Sequence, residues 1–397
     1  MNILKIRTTT LQKIIFGLLF FIQLSASAAV WKNEYKWNEL WEVAYSKWVT
    51  AHWKKDIYTN PNSILYNIPT DCADASYNMR ALFAYTYKLP FRAGKITNET
   101  KYFDRITNET ERFREFIKKV NVDVNTSTLS EDTYPIGLNK RQFRAGIIFV
   151  VLKPTNHTVQ VVSISPTGIP TILDSTEPSK IRNLFERYSF APHTTNTIQE
   201  GYRAFKWPEH YLQSNSKNGD ASLEQFELFN KVKYLDLYFN EIESRLRERQ
   251  ETVNEKTNRL LKLICNETRF RIENVEFALD YLSKKPANYC FSKYEYSDYS
   301  TPNRDAKMVL LYKYALNIYN DPYFKKEMSA DNQNKIISLF ESQRNQDWCP
   351  LKLKSNLQVS LSDVWKGLYE NKLVSDPNAN EKQRWGFEDF QPLCPQY

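Results

Sequence analysis

The chain has 397 residues, with 54 lysines and arginines against 46 acids, a net charge of +8 and only nine glycines. That length permits two domains and a substantial core. The diffuse charge and scattered aromatic residues give no nucleic-acid surface, and with so few glycines and no phosphate-cradling motif a nucleotide loop is excluded.

Lys5, Arg7 and Lys13 precede an apolar run over 14–24, followed by Ser25-Ala26-Ser27-Ala28-Ala29. Cations, a short apolar run and small residues make a secretory signal, so residues 1–29 are expected to be cleaved after Ala28 or Ala29. The run is too short for a membrane span, and no later one is long enough, so a soluble mature chain is expected, secreted or periplasmic. An uncleaved anchor is the competing reading.

Residues 34–52 predict a helix with Trp37, Leu40, Trp41, Ala44 and Trp48 on one face, a stripe that belongs in a core more often than on a sugar-binding surface. A second helix opens at Asp71-Cys72-Ala73-Asp74, with Asp71 as N-cap and Asp74 three residues on in capping-box position. Cys72, Ala75, Met79, Leu82 and Phe83 recur at helical spacing. Lys88-Leu89-Pro90 ends the helix. A thiol at a helix N-terminus meets free N–H groups and partial positive charge, which stabilise a thiolate. Asp71 and Asp74 oppose that unless an imidazolium outweighs them. A buried structural cysteine is the bland alternative.

The segment 94–144 repeats Ile96-Thr97-Asn98-Glu99-Thr100 as Ile106-Thr107-Asn108-Glu109-Thr110, too short a duplication for a solenoid. It carries one predicted helix over 109–120 and is expected either to cover a cleft as a flap or to form a surface excursion. Residues 145–152 are a continuous apolar strand. Lys153-Pro154-Thr155-Asn156 is a turn, His157 opens the next strand, and Ser165-Pro166-Thr167-Gly168 turns into a third that ends at Asp174. His157 and Asp174 then lie near the same end of adjacent antiparallel strands, where a bulge or register offset would bring them together. Of four histidines (His52, His157, His193, His210), only His157 has this context. Thiol, imidazole and carboxylate are the parts of an activated cysteine nucleophile.

Residues 178–219 are polar and irregular. From 221 to 284 the composition becomes charged and helix-forming, with Leu223, Phe226, Phe229, Val232 and Leu235 on one face, and predicts two long helices. They form either a partner-binding arm or a helical domain packed on itself. Further helices are predicted over 304–319, 323–344 and 361–373. Five cysteines are an odd set for an oxidising compartment. Cys72 is taken as the free thiol, and proximity favours Cys265–Cys290 and Cys349–Cys394 among three possible connectivities. No Cys-x-x-Cys or His-x-x-x-His spacing suggests a metal, and no cofactor is expected.

Together, Asp71-Cys72-Ala73-Asp74, the following Leu89-Pro90-Phe91-Arg92-Ala93, His157-Thr158-Val159-Gln160-Val161 and Leu173-Asp174-Ser175-Thr176 resemble the transglutaminase-like superfamily, whose core is shared with papain-like cysteine peptidases. The resemblance covers about 62–178, with serine in place of the family's proline after Asp174 and a long insertion at 94–144. It implies an α+β fold, with a Cys helix packed on an antiparallel sheet over 30–219, followed here by a mainly helical region over 220–397. It also implies Cys72 as nucleophile, His157 as general base and acid, and Asp174 as its orienter. No Trp or Gln precedes the thiol, so the Cys72 N–H and Asn67 are the candidate oxyanion donors. The expected function is hydrolysis of, or acyl transfer from, amide bonds of peptides, proteins or cell-wall peptides. A non-catalytic exported scaffold with a partner on 221–284 is the alternative, and a carbohydrate-binding protein using its tryptophans is a third.

Overall fold

A computed structural model describes residues 29–153, 156–191, 197–211, 221–341 and 346–397; the proposed signal segment, apart from Ala29, and His193 lie outside them. The protein is mixed α and β, with an antiparallel sheet and a helical C-terminal region. Helix α1 (Glu39–His52) starts five residues later than the aromatic stripe suggested, because Asn38 caps it by accepting from the Trp41 N–H. Then come α2 (Cys72–Thr86), a two-stranded ribbon of β1 (Arg92–Ala93) and β2 (Ile96–Thr97), α3 (Glu109–Asp123) and α4 (Thr126–Asp132).

Six strands form the main sheet: β3 (Thr133–Pro135), β4 (Ile148–Val151), β5 (His157–Ile164), β6 (Pro170–Asp174), β7 (Phe185–Arg187) and β8 (Gly201–Phe205), in the order β3-β8-β4-β5-β6-β7. The segment 178–219 is therefore not simply irregular. It supplies β7 at one edge and β8 in the interior, both too short to show alternation in sequence.

The sheet's faces divide by the two-residue pleat. Ile148, Val150, Val162 and Leu173 share a core with Ala73, Met79 and Phe83 of α2 and with Phe113, Phe116, Ile117 and Val120 of α3. The 94–144 segment is thus neither flap nor excursion, since its main helix is part of the core and β3 pairs with β8. Phe149, Val151, Val159, Val161 and Ile172 face the other way, onto Leu228, Tyr238, Ile242 and Leu246. Those residues come from α5 (Glu224–Val232) and α6 (Leu235–Leu246). The charged stretch 221–284 therefore makes three helices rather than two, and the first two cover the sheet.

The third, α7 (Val253–Leu282), is the 30-residue spine of the C-terminal region. Around it lie α8 (Lys293–Tyr299), α9 (Pro302–Asn320), α10 (Pro322–Glu327), α11 (Ala330–Ser338), α12 (Leu361–Tyr369) and α13 (Glu381–Arg384). Leu260, Ile264, Met308, Tyr312, Ile336 and Leu368 pack together there. The helix expected over 323–344 is broken in two, where Ser329 caps α11 by accepting from the Asn332 N–H.

The disulfides correct the proximity argument. Cys265 pairs with Cys349 and Cys290 with Cys394. Cys265 lies inside α7, and the helix carries the chain about 25 Å onward before it ends. Cys290 is thereby placed beside the C-terminal tail, and Cys265 against the segment after α11.

Candidate active site

Cys72 is the first residue of α2. Asp71 accepts a hydrogen bond from the Asp74 N–H at 2.9 Å, and Asp74 Oδ2 accepts from the Asp71 N–H at 3.0 Å, a reciprocal capping box that fixes where the helix begins. Of the five cysteines Cys72 alone is free, and it is 5% exposed. Among the described residues its N–H makes no hydrogen bond, since a first-turn N–H has no intrahelical partner and the cap is taken by the Asp74 N–H. The approach to the helix is braced from several sides. Arg114 of α3 donates to the carbonyl of Tyr66 at 2.8 Å, Asn121 to that of Pro69 at 3.1 Å, and Ser175, just past Asp174, to that of Thr70 at 3.0 Å.

His157 and Asp174 reach each other because the β5–β6 register shifts. Near the turn Ser163 pairs with Thr171, but beyond Val162 the pairing becomes Val161 with Ile172 and Gln160 with Leu173. In the second register Asp174 falls opposite Val159, so His157 shares its face. Without the extra residue Asp174 would fall opposite Gln160, and the two side chains would point to opposite faces. As built, His157 Nε2 lies 3.1 Å from Asp174 Oδ2. The Cys72 side chain lies near enough to interact with the ring.

Burial works against charge on the His157 ring, but the hydrogen bond and charge of Asp174, with the interaction of the Cys72 side chain, outweigh it, and the ring is pushed up to about 10. Burial also opposes the charge of Asp174. The Arg187 guanidinium and the His157 hydrogen bond prevail and hold its carboxyl below the usual range. Arg187, the last residue of β7, donates through Nη1 to Asp174 Oδ1 and through Nε to Glu267 of α7 at 2.6 Å. Glu267 is 1% exposed and also meets Lys307 Nζ at 2.5 Å and Arg304 Nη1 at 3.5 Å, both from α9.

Sequence reasoning misses Arg187 and Glu267. An arginine in a three-residue polar strand and a glutamate in a charged helix carry no signal of their own; only the pairing of Arg187 with Ile172, two residues from Asp174, reveals the role.

Acids gather at the start of α2. Burial, with the charge of Asp71, raises Asp74 to about 8, and burial with the Asp71 carboxyl raises Glu177 to about 7. Asp74 Oδ1 is buried and has no hydrogen-bond partner among the described residues. Asn67 has a left-handed backbone (φ 61°), is exposed, and donates its N–H to the Tyr58 carbonyl at 3.0 Å. Among the described residues its side chain makes no hydrogen bond to Cys72, His157 or Asp174. His52 ends α1 with its ring 5.7 Å from Trp48, and His210 stands 5.3 Å from Trp207. Among the described residues no cluster of His, Cys, Asp and Glu could hold a metal ion, and no helix is long and apolar enough to cross a membrane.

No family model, curated protein or solved structure matches the chain.

Proposed function

We propose that this protein is a cysteine hydrolase or acyltransferase of the transglutaminase-like type, acting on amide bonds of peptide or protein substrates, cell-wall peptides among them. The observation that carries the reading is the His157 ring, hydrogen-bonded to a buried, ionised Asp174 and interacting with the one free thiol. A Cys helix laid on an antiparallel sheet supports a papain-like core. The two disulfides support export.

In this reading the Cys72 sulfur, its proton passed to His157, attacks the amide carbon and forms a C–S bond. The carbonyl oxygen becomes an oxyanion facing the free Cys72 N–H. Collapse breaks the C–N bond while the imidazolium gives its proton to the departing nitrogen. Water then attacks the thioester as His157 takes its proton, releasing the acid and returning that proton to sulfur. An amine in place of water yields a new amide. Asp174 holds the tautomer and the imidazolium throughout.

Incubation of the mature chain with an activated acyl ester tests the reading. One equivalent of acyl group should appear on Cys72, and Cys72→Ala should take none. Equal labelling of Cys72→Ala would assign the core to a non-catalytic scaffold instead.

A further inference from the structure

The orienting carboxylate does not stand alone. Arg187 divides its fork, with Nη1 on Asp174 and Nε on Glu267, so the guanidinium is fixed from two directions. Glu267 lies on α7, outside the segment that resembles any catalytic core, and two further cations from α9, Arg304 and Lys307, converge on it. Asp174, Glu267, Arg187, Arg304 and Lys307 thus form one ladder of two buried carboxylates and three largely buried cations. Its end carboxylate oxygen, Asp174 Oδ2, faces His157.

We propose that Glu267 and Arg187 are positioning residues for the cysteine site, and that the C-terminal helical region thereby completes the site rather than merely accompanying it. The inference rests on the cysteine-nucleophile reading above. Its physical basis is competition for one carboxylate. With Glu267 present, the three cations share a second anion, and Asp174 needs to give only Oδ1 to Arg187. Without it, Asp305 and Glu273 still attract Arg304 and Glu273 attracts Arg182, but Asp174 is the carboxylate left for Arg187, and both its oxygens are drawn toward that guanidinium. The imidazole then loses the group that holds its charge and orientation. A displacement of about 1 Å in such a constellation costs on the order of 10²-fold in rate. The same ladder explains why a structural role alone is insufficient. Burial of an ion network gives little net stability, whereas a fixed carboxylate orientation is what a histidine base requires.

The test is the pH profile of Cys72 alkylation by iodoacetamide, followed by mass spectrometry on the full mature chain without reductant, where the other four cysteines are protected in disulfides. Glu267→Gln should slow alkylation on the order of 10²-fold near neutrality and move the acid limb of the profile upward, because the imidazolium that supports the thiolate is lost. Glu267→Asp should restore part of both. If Glu267→Gln does not fold, the double variant Glu267→Gln/Lys307→Met, which removes one charge of each sign, carries the test and should show the same displaced profile. A folded variant of either kind with the wild-type profile overturns the positioning role and leaves the triad standing. Wild-type protein that resists alkylation across the range, like its Cys72→Ala variant, overturns both readings at once.

Discussion

Replacing Asp174 by asparagine keeps the side chain's shape and removes its charge, and the local contacts dictate the consequences. The amide can offer its oxygen to only one neighbour. If the oxygen faces Arg187, the NH2 donates to His157 Nε2, the ring proton moves to Nδ1, and the base presents an N–H to sulfur. If the oxygen faces His157, the NH2 confronts the guanidinium. The rise of His157 from 6.5 to about 10 corresponds to roughly 5 kcal/mol in favour of the charged ring. Asp174 and Cys72 share that gain, so loss of the carboxylate's charge removes about 2–3 kcal/mol, on the order of 10²-fold in the thiolate–imidazolium pair. The wrong tautomer can carry the loss in acylation toward about 10⁴-fold. Breaking the buried pair with Arg187 should also cost about 3 kcal/mol of stability. The assay is the rate of Cys72 acylation by an activated ester near pH 7, paired with denaturant unfolding. Asp174→Asn protein that stays folded and acylates at the wild-type rate would refute the reasoning.

Asp74→Asn should stabilise the protein in alkali. A carboxyl raised from 3.8 to about 8 gives a contribution that is full below pH 3.8 and is lost as pH rises through 8, so the variant should gain on the order of a few kcal/mol near pH 9 and nothing in strong acid, read from urea midpoints. His157 has the same sign: its contribution is full below pH 6.5 and falls away toward 10, so urea unfolding of His157→Gln should show a deficit that narrows as pH climbs. Gly168, at φ 82°, sits where an added Cβ would lie 2.5 Å from the Glu243 carbonyl oxygen, at the seam between the β5–β6 turn and α6; Gly168→Ala should cost about 2 kcal/mol or more, and a thermal midpoint equal to wild type would contradict that packing. Removing Cys265–Cys349, which closes a separation of 84 residues, should cost about 4.5 kcal/mol by loop entropy, checked by unfolding the Cys265→Ser/Cys349→Ser variant.

What the sequence discloses and what it hides divide along physical lines. The Cys72 helix is legible because capping chemistry and apolar period are local, and so is the hairpin, because its turns are bracketed by Pro, Asn and Gly. That a bulge or offset must align His157 with Asp174 is legible from their places on the hairpin, but its position at Val162 is not, since Val161 and Val162 are alike in composition and only pairing distinguishes them. The burial of Phe113 and Phe116 is hidden by the charged residues around them on α3. The disulfide partners escape because proximity along the chain ignores the rigid span of α7. Arg187 and Glu267 are 80 residues apart, and a salt bridge across that separation has no periodicity to betray it.

The most direct test of the account is the rate of Cys72 alkylation in wild-type protein and in His157→Gln, measured near pH 6, where an ordinary cysteine is almost wholly protonated. The account predicts that wild-type Cys72 reacts at least about tenfold faster than a peptide thiol there, sustained by the imidazolium, and that His157→Gln abolishes the excess. A wild-type rate no higher than that of the peptide, unchanged by His157→Gln, would contradict it.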